Sequence, residues 1–119
     1  MSKIIAVDFD GTICEDRFPE CGFPNLSLIK ELIRQRSEGD KLILWTCRTG
    51  RDLEAAVSFC RFHHLEFDAV NCNLPQTIER YGSDSRKIFA DVYIDDKAWQ
   101  PRWHDIQEEE NYERKEKYA

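Results

Sequence analysis

Four aspartates in two close pairs are the residues of this chain whose spacing favours chemistry. Asp8 and Asp10 are separated by one residue, and Asp95 and Asp96 are adjacent. Carboxylates held so close repel each other, and a hard cation such as Mg²⁺ offsets that repulsion because it prefers oxygen ligands. An aspartate can also attack phosphorus as a nucleophile, or transfer protons as a general acid and base. The two pairs therefore predict a phosphoryl-transfer or metal site, if the fold brings them together.

The first pair belongs to residues 8–12, Asp-Phe-Asp-Gly-Thr, which directly follow the apolar run 4–7. This stretch has three interpretations. It can be a polar turn that leaves a strand, or the start of a calcium loop, although such a loop has its glycine later and lies between helices. In the third interpretation, Asp8 is the nucleophile of a phosphoryl transfer and Asp10 is its acid and base. The other motifs of the chain favour the third.

Three apolar runs that end in polar residues predict buried strands, at residues 4–7, 41–45 and 92–94. An amphipathic helix from the N-cap Asn25 to about Ser37 lies between the first two runs. A strand, a helix and a strand in so short a span form a right-handed unit with parallel strands. Because ligands bind outside the carboxyl ends of such strands, we expect the polar residues after each run at one edge of the sheet.

Thr46 and Arg48 follow the second predicted strand and are expected beside the first acidic pair. The Thr46 hydroxyl can donate to a phosphate oxygen, and Arg48 can grip an anionic substrate. For Arg48 and Arg51 an equal alternative is a solvated position at the start of the next helix, which is predicted over residues 52–64. A short third strand is predicted at residues 67–70.

Residues 13–24 carry no helical or strand period, and they contain two prolines and a glycine. They are predicted to form a loop that folds over the first acidic pair as a short flap. Arg17, Phe18 and Phe23 could contact a substrate there, or the two aromatic side chains could tuck into the core instead.

Lys87 lies shortly before the last predicted strand, after a polar stretch at residues 76–86 that predicts one helical turn and a loop. Its ammonium group could bind a phosphate, although the usual place of a lysine is the solvated surface. Arg86 and Lys97 are rival candidates for the same role.

The chain resembles the haloacid dehalogenase superfamily in the order of four motifs, each at or near a predicted strand end. These motifs are Asp8-x-Asp10 followed by Thr12, then Thr46, Lys87 and the pair Asp95-Asp96. The resemblance implies an α/β fold, a Rossmann-like three-layer sandwich with a central parallel sheet, in one domain over residues 1–119. It also implies a Mg²⁺-dependent phosphohydrolase that acts on a small phosphorylated substrate or on a phosphorylated macromolecule.

The same resemblance implies a role for each acid. Asp8 would form an aspartyl-phosphate, and Asp10 would protonate the leaving oxygen and then deprotonate the water. Mg²⁺ would be bound by Asp8, by the backbone carbonyl of Asp10 and by one acid of the late pair. Asp96 is favoured as that ligand, with Asp95 behind it, because the second position aligns with the Gly-Asp form of the motif.

Thr46 and Lys87 would hold the phosphate, helped by the backbone N–H groups of Phe9 and Gly11. Larger superfamily members insert a cap domain between these motifs, but here the intervals hold only a helix, or a helix and a strand. The site is therefore expected to lack a cap. Such a site either serves large substrates or is covered by a partner subunit. In the second case the protein would be a homo-oligomer.

The composition restricts the partners and the compartment. A net charge of −6 argues against general nucleic-acid binding, since phosphate contacts need a basic surface. No apolar run approaches the roughly 20 residues of a membrane span, and no signal-peptide pattern precedes the first strand. Five irregularly spaced cysteines predict reduced thiols in a cytoplasmic protein. Residues 108–119 are highly charged and are expected to form a solvated tail.

Two other functions share parts of this pattern. A receiver-like signalling domain is also phosphorylated on an aspartate, but its lysine comes after its acids, whereas Lys87 precedes Asp95 here. A phosphate-binding module without turnover would keep the fold and lose residues of the site. All the predicted site residues are present, which favours the phosphohydrolase.

Overall fold

The computed structural model describes residues 2–100, in which strands and helices alternate. In chain order the elements are β1 (Ile4–Val7), β2 (Cys14–Arg17), β3 (Glu20–Pro24), α1 (Leu26–Ser37), β4 (Lys41–Leu44), α2 (Gly50–Phe62), β5 (Ala69–Val70), α3 (Pro75–Tyr81) and β6 (Val92–Ile94). The charged tail predicted at residues 108–119 lies outside the described residues. Within residues 2–100, no helix is both long and apolar enough to span a membrane.

The strand β1 lies inside a four-stranded sheet with the order β5-β4-β1-β6. It pairs in parallel with β4 on one side and with β6 on the other, and β5 adds a parallel edge to β4. The predicted α/β fold with a parallel sheet flanked by helices is confirmed, and it is consistent with a Rossmann-like sandwich. Val7 is the register partner of both Leu44 and Ile94. The residues that follow these three therefore lie side by side at one edge.

Both faces of β1 and β4 are buried, which explains why their apolar runs are unbroken. One face packs against α1 and α2 through Ile5, Val7, Leu42, Leu44, Ile29, Leu32, Ala56 and Cys60. The other face is covered by the start of α3 and by the segment before β6, through Ala6, Ile43, Leu74, Ile88 and Ala90. This two-sided core holds the carboxyl end of β1 in place, so polar groups beyond it can be positioned accurately.

The helices follow the sequence signals with small shifts. The bounds of α1 are those predicted, and the Asn25 side chain accepts a hydrogen bond from the Leu28 N–H at 3.2 Å. The helix α2 starts at Gly50, slightly before the predicted residue. The helix α3 is longer than the single turn expected, and it ends at Gly82, whose φ of 78° gives the left-handed C-cap that favours glycine.

The segment predicted as a flap loop at residues 13–24 is a two-stranded antiparallel hairpin, so the expectation of a structureless loop is wrong. Cys14 pairs with Pro24, and Arg17 pairs with Glu20. The register shifts between Cys14 and Asp16. Most side chains of β2 are exposed. The sequence of this strand therefore lacks the alternation of apolar and polar residues that marks a half-buried strand.

Candidate active site

Three of the four predicted acids converge at the carboxyl end of β1. The Asp8 N–H donates to the Ile94 carbonyl at 2.9 Å, which joins the ends of β1 and β6. Carboxylate oxygens of Asp8, Asp95 and Asp96 lie within 4.8 Å of one another. We call these three residues the acid cluster. Their oxygens could hold a hard cation, since carboxylates are its preferred protein ligands.

The acid cluster is electrostatically unfavourable for Asp8. Burial, and after it the neighbouring negative charge of Asp95, raise the pKa of Asp8 to about 6. Hydrogen bonds from the Thr12 hydroxyl and from the Phe9 backbone oppose this rise. Because Asp8 remains perturbed in spite of those bonds, a positive charge at this place would stabilise its ionised form.

Thr12 ties the first motif to the last, a role that the sequence analysis did not assign. Its hydroxyl donates to Asp8 Oδ2 at 3.1 Å, and its oxygen accepts the Asp96 N–H at 3.1 Å. The side chain is buried. Its position as the last residue of the Asp-x-Asp-x-Thr motif was the signal for such a role.

Gly11 lets the two motifs approach each other closely. Its φ is +83°, and a Cβ added there would overlap the Asp96 carboxylate, with Asp96 Cγ only 2.8 Å away. The Gly11 N–H donates to the Cys14 carbonyl at 2.9 Å. The predicted phosphate contact from this N–H therefore has to be corrected, because the hairpin already uses the donor.

Asp10 pairs with Arg48 instead of joining the acid cluster. Arg48 Nε donates to Asp10 Oδ2 at 2.8 Å, and Nη2 donates to Oδ1 at 2.7 Å. The hydrogen bonds with Asp10 are the main reason why the pKa of Arg48 lies above its usual range. The two ends of this bidentate pair come from the turn after β1 and from the segment before α2. It was not expected from the sequence.

The remaining donors of Arg48 are also satisfied by the protein. Nη1 donates to the carbonyls of Pro19 at 2.9 Å and of Asp52 at 3.1 Å, and Nη2 donates to the carbonyl of Glu20 at 2.8 Å. A guanidinium has five N–H groups, and in this arrangement each has a protein acceptor. The prediction that Arg48 grips an anionic substrate is therefore corrected. Its exposed fraction of 2% also excludes the alternative of a solvated side chain.

Thr46 lies beside the acid cluster, as its place after β4 indicates. A cavity of about 270 Å³ is lined by Asp8, Trp45, Thr46, Cys47 and Asp95. The Thr46 hydroxyl oxygen accepts the Arg48 N–H at 3.2 Å. The hydroxyl keeps its own proton, so it can donate to an anion in this cavity.

The two lysines near β6 occupy different places. Lys97 Nζ lies 3.3 Å from Asp96 Oδ2, and this hydrogen bond and charge raise the pKa of Lys97. Lys87 Nζ lies 5.6 Å from the centre of the Tyr93 ring. That ring lies 5.7 Å from the ring of Trp45, which lines the cavity. Lys87 therefore lies next to a ring that packs against the cavity wall, whereas its rival Lys97 is at the acid cluster. Both Arg86 and Lys87 are exposed.

Two asparagines position the segments around the cavity. Asn71 Oδ1 accepts the Thr46 N–H at 2.8 Å. Asn73 is buried, and its amide donates to Asp84 at 2.8 Å while its oxygen accepts the Phe89 N–H at 2.7 Å. Asn73 thereby braces the segment that carries Lys87. Both residues closely follow β5, and a polar residue just after a strand was the available signal in the sequence.

Comparison with known proteins finds a relative among the solved structures. No family model matches the sequence, and no curated protein matches it. A similar solved structure is described as that of the conserved protein coded by a locus of Bacteroides thetaiotaomicron. The two chains are 38% identical, with a TM-score of 0.74, over 95% of this chain and 93% of that chain. This chain belongs to the same family as that conserved protein of Bacteroides thetaiotaomicron.

Proposed function

We propose that this protein is a Mg²⁺-dependent phosphohydrolase of the haloacid dehalogenase type, without a cap domain, which acts on a phosphomonoester through an aspartyl-phosphate. The observation that carries the proposal is the convergence of Asp8, Asp95 and Asp96 within 4.8 Å at the end of a central strand. The Thr46 hydroxyl on the wall of the same cavity supplies a donor for phosphate. Positioning and charge neutralisation are what phosphoryl transfer chiefly requires.

Asp8 is the proposed nucleophile because it borders the cavity and its carboxylate is held by the Thr12 hydroxyl. Its oxygen would form a bond to phosphorus while the bond from phosphorus to the leaving oxygen breaks. Water would then attack the phosphorus of the intermediate and return Asp8 to its carboxylate. Thr46 would orient the phosphate, and Lys87, or Lys97 as its rival, would supply a positive charge.

Asp10 is the proposed acid and base. It would give a proton to the leaving oxygen in the first step and take one from water in the second. Its carboxylate is oriented by the bidentate pair with Arg48. The pair leaves lone pairs on the carboxylate for proton exchange, because a carboxylate accepts about four hydrogen bonds in all.

The residues proposed to hold Mg²⁺ are Asp8 and Asp96, with Asp95 beside them and the backbone carbonyl of Asp10 as a further ligand. The donor set fits this ion, since carboxylate oxygens are hard ligands. Burial and then the charge of Asp95 raise the pKa of Asp8, so a bound cation would favour its ionised form. When bound, Mg²⁺ would neutralise the phosphate charge that otherwise repels the nucleophile.

A regulatory module without turnover is the second candidate, and the Asp10–Arg48 pair favours it. Both carboxylate oxygens of Asp10 already accept hydrogen bonds. If Arg48 prevents Asp10 from activating water, phosphate would reach Asp8 and remain there. The protein would then carry an acyl phosphate as a signal.

The test is hydrolysis of an aryl phosphate by the purified protein, with Mg²⁺ and after exhaustive chelation. We expect many turnovers per chain with Mg²⁺ and background release without it. Asp8→Asn should reduce release to background. Glu54→Gln is the matched control, because it removes an exposed carboxylate on α2, and it should behave like the unmodified protein.

Rapid quench and mass spectrometry of the peptide that contains Asp8 distinguish the two candidates. In a phosphohydrolase, Asp10→Asn should accumulate phosphorylated Asp8, because acid–base help is worth about 100- to 10,000-fold. In a regulatory module, the unmodified protein itself accumulates the phosphorylated residue and releases at most one phosphate per chain. Turnover that persists after chelation, or at full rate in Asp8→Asn, would overturn the proposed mechanism.

A further inference from the structure

We propose that Arg48 is a positioning residue that couples the hairpin of residues 14–24 to Asp10, so that the hairpin turn and the proposed proton-transfer group form one unit. The inference rests on the proposed role of Asp10 as acid and base. It gives the hairpin a function, because the place of its turn determines where the Asp10 carboxylate is held.

The hydrogen bonds of Arg48 reach three separate parts of the fold. Two go to the Asp10 carboxylate, at 2.7 and 2.8 Å. Two go to the hairpin turn, to the carbonyls of Pro19 and Glu20. The fifth goes to the Asp52 carbonyl in the first turn of α2. One planar guanidinium thus joins the turn after β1, the hairpin and a helix.

Aromatic rings from two of the three parts that it joins also lie against this guanidinium. Its central carbon lies 4.9 Å from the centre of the Phe9 ring, which belongs to the first motif. It lies 5.1 Å from the centre of the Phe18 ring, which belongs to the hairpin turn. Phe9 is buried, while Phe18 is more than half exposed. The hairpin therefore contributes both acceptors and a ring to the place where Arg48 is bound.

Burial makes this connection all-or-none. Arg48 is only 2% exposed, so its donors depend on the protein for their partners. If the hairpin turn lifted, the donors to Pro19 and Glu20 would lose their acceptors inside the protein. The guanidinium would have to turn toward water, and the bidentate pair with Asp10 would be lost with it. Lysine cannot replace this geometry, because an ammonium group has no planar fork.

The first test needs no catalysis and measures amide hydrogen exchange of the metal-free protein. Asp10→Asn keeps the size of the side chain but offers one acceptor oxygen, with an NH₂ group facing the donors of Arg48. Coupling predicts that amides of residues 14–24 then exchange at least about tenfold faster. Asp8→Asn changes a neighbouring acid with no bond to Arg48 among the described residues, and it should leave the hairpin rate unchanged. Equal hairpin exchange in Asp10→Asn and in the unmodified protein would overturn the proposal.

The second test uses turnover of the aryl phosphate with Mg²⁺. Arg48→Lys should lower kcat by at least about tenfold, within the range of general acid–base help, with KM changed less than threefold in the same assay. In the Asp10→Asn protein the same substitution should cause no further loss. A loss that multiplies in the double variant would overturn the coupling, because Arg48 would then act apart from Asp10.

The matched control is Arg51→Ala. Arg51 is exposed near the start of α2, and its side chain makes no hydrogen bond or ion pair within residues 2–100. It should change neither hairpin exchange nor kcat. If the unmodified protein has no turnover, the proposed function fails, and the exchange measurements still decide the coupling.

Discussion

At the scale of single residues, the site holds a carboxyl group in surroundings that disfavour its ionised form. Asp8 illustrates this, because burial and the charge of Asp95 raise its pKa from 3.8 to about 6. The folded protein therefore holds this proton more tightly than the unfolded chain does. As pH rises from about 4 through 6, the unfolded chain releases the proton first, so the free energy of unfolding falls.

We therefore predict that Asp8→Asn stabilises the metal-free protein above pH 6. The expected gain in the free energy of unfolding is about 1 kcal/mol at pH 7.5, allowing for solvent screening of a half-buried group. Near pH 3 the gain should shrink, because Asp8, whose ordinary pKa is 3.8, is then mostly protonated in both states. Urea unfolding at the two pH values measures this, with Glu54→Gln as control. A variant that is less stable than the unmodified protein at pH 7.5 would contradict the electrostatic account.

Gly11 gives a second residue-scale prediction, about close approach. Gly11→Ala should lower stability by about 1–3 kcal/mol through its left-handed backbone, and it should also abolish turnover by displacing Asp96. Gly82→Ala is the control, since Gly82 has a similar φ of +78° with nothing within 4 Å of the added Cβ. The Gly82→Ala variant should be less stable, but it should keep its kcat when the assay is run at a low temperature at which the variant is folded. Equal loss of kcat in both variants would mean that backbone strain, and not overlap with Asp96, causes the defect.

At the scale of elements, the segments on either side of β6 each supply one lysine. Lys97 pairs with Asp96, so it partly neutralises the acid cluster when no metal is bound. Lys87 lies on the segment that Asn73 braces, and its ammonium group lies over the Tyr93 ring, which packs beside Trp45. The two positions lead to opposite expectations for metal and phosphate.

We predict that Lys97→Ala lowers the Mg²⁺ concentration for half-maximal activity, because it removes a competing cation. The effect should be about two- to fivefold, since an exposed ion pair contributes at most about 1 kcal/mol. Lys87→Ala should instead raise KM for the aryl phosphate and lower turnover. Steady-state kinetics over a matrix of Mg²⁺ and substrate concentrations separates the two effects. If Lys97→Ala abolishes turnover while Lys87→Ala is silent, Lys97 is the phosphate-binding lysine.

The hairpin of residues 14–24 is an element that has no recognisable pattern in the sequence. Its strands are short, and most of β2 is exposed, so hydrophobic alternation does not mark them. What holds the turn of the hairpin is Arg48, which follows β4 far along the chain. A contact between such distant residues leaves no local signal in either segment.

At the scale of the whole molecule, the sequence by itself determined the layout of the fold. Apolar runs that end in polar residues specified the parallel strands, and Asn25 specified the start of α1. Both are local signals, because burial on two faces demands unbroken apolar residues and a cap needs one side chain. The same layout, through the parallel register of β1 with β4 and β6, placed Asp8, Thr46 and Asp95 at one edge.

Only the tertiary structure decided which polar groups remain available at that edge. Asp10 and Arg48 both follow strands and both looked able to meet substrate, yet they bond to each other. The Gly11 N–H is used by Cys14, and Thr12 joins Asp8 to Asp96. The physical reason is that a buried donor must find an acceptor wherever the packed chain provides one. Strand order brings residues together, but the pairing of their hydrogen bonds depends on distances that no local pattern encodes.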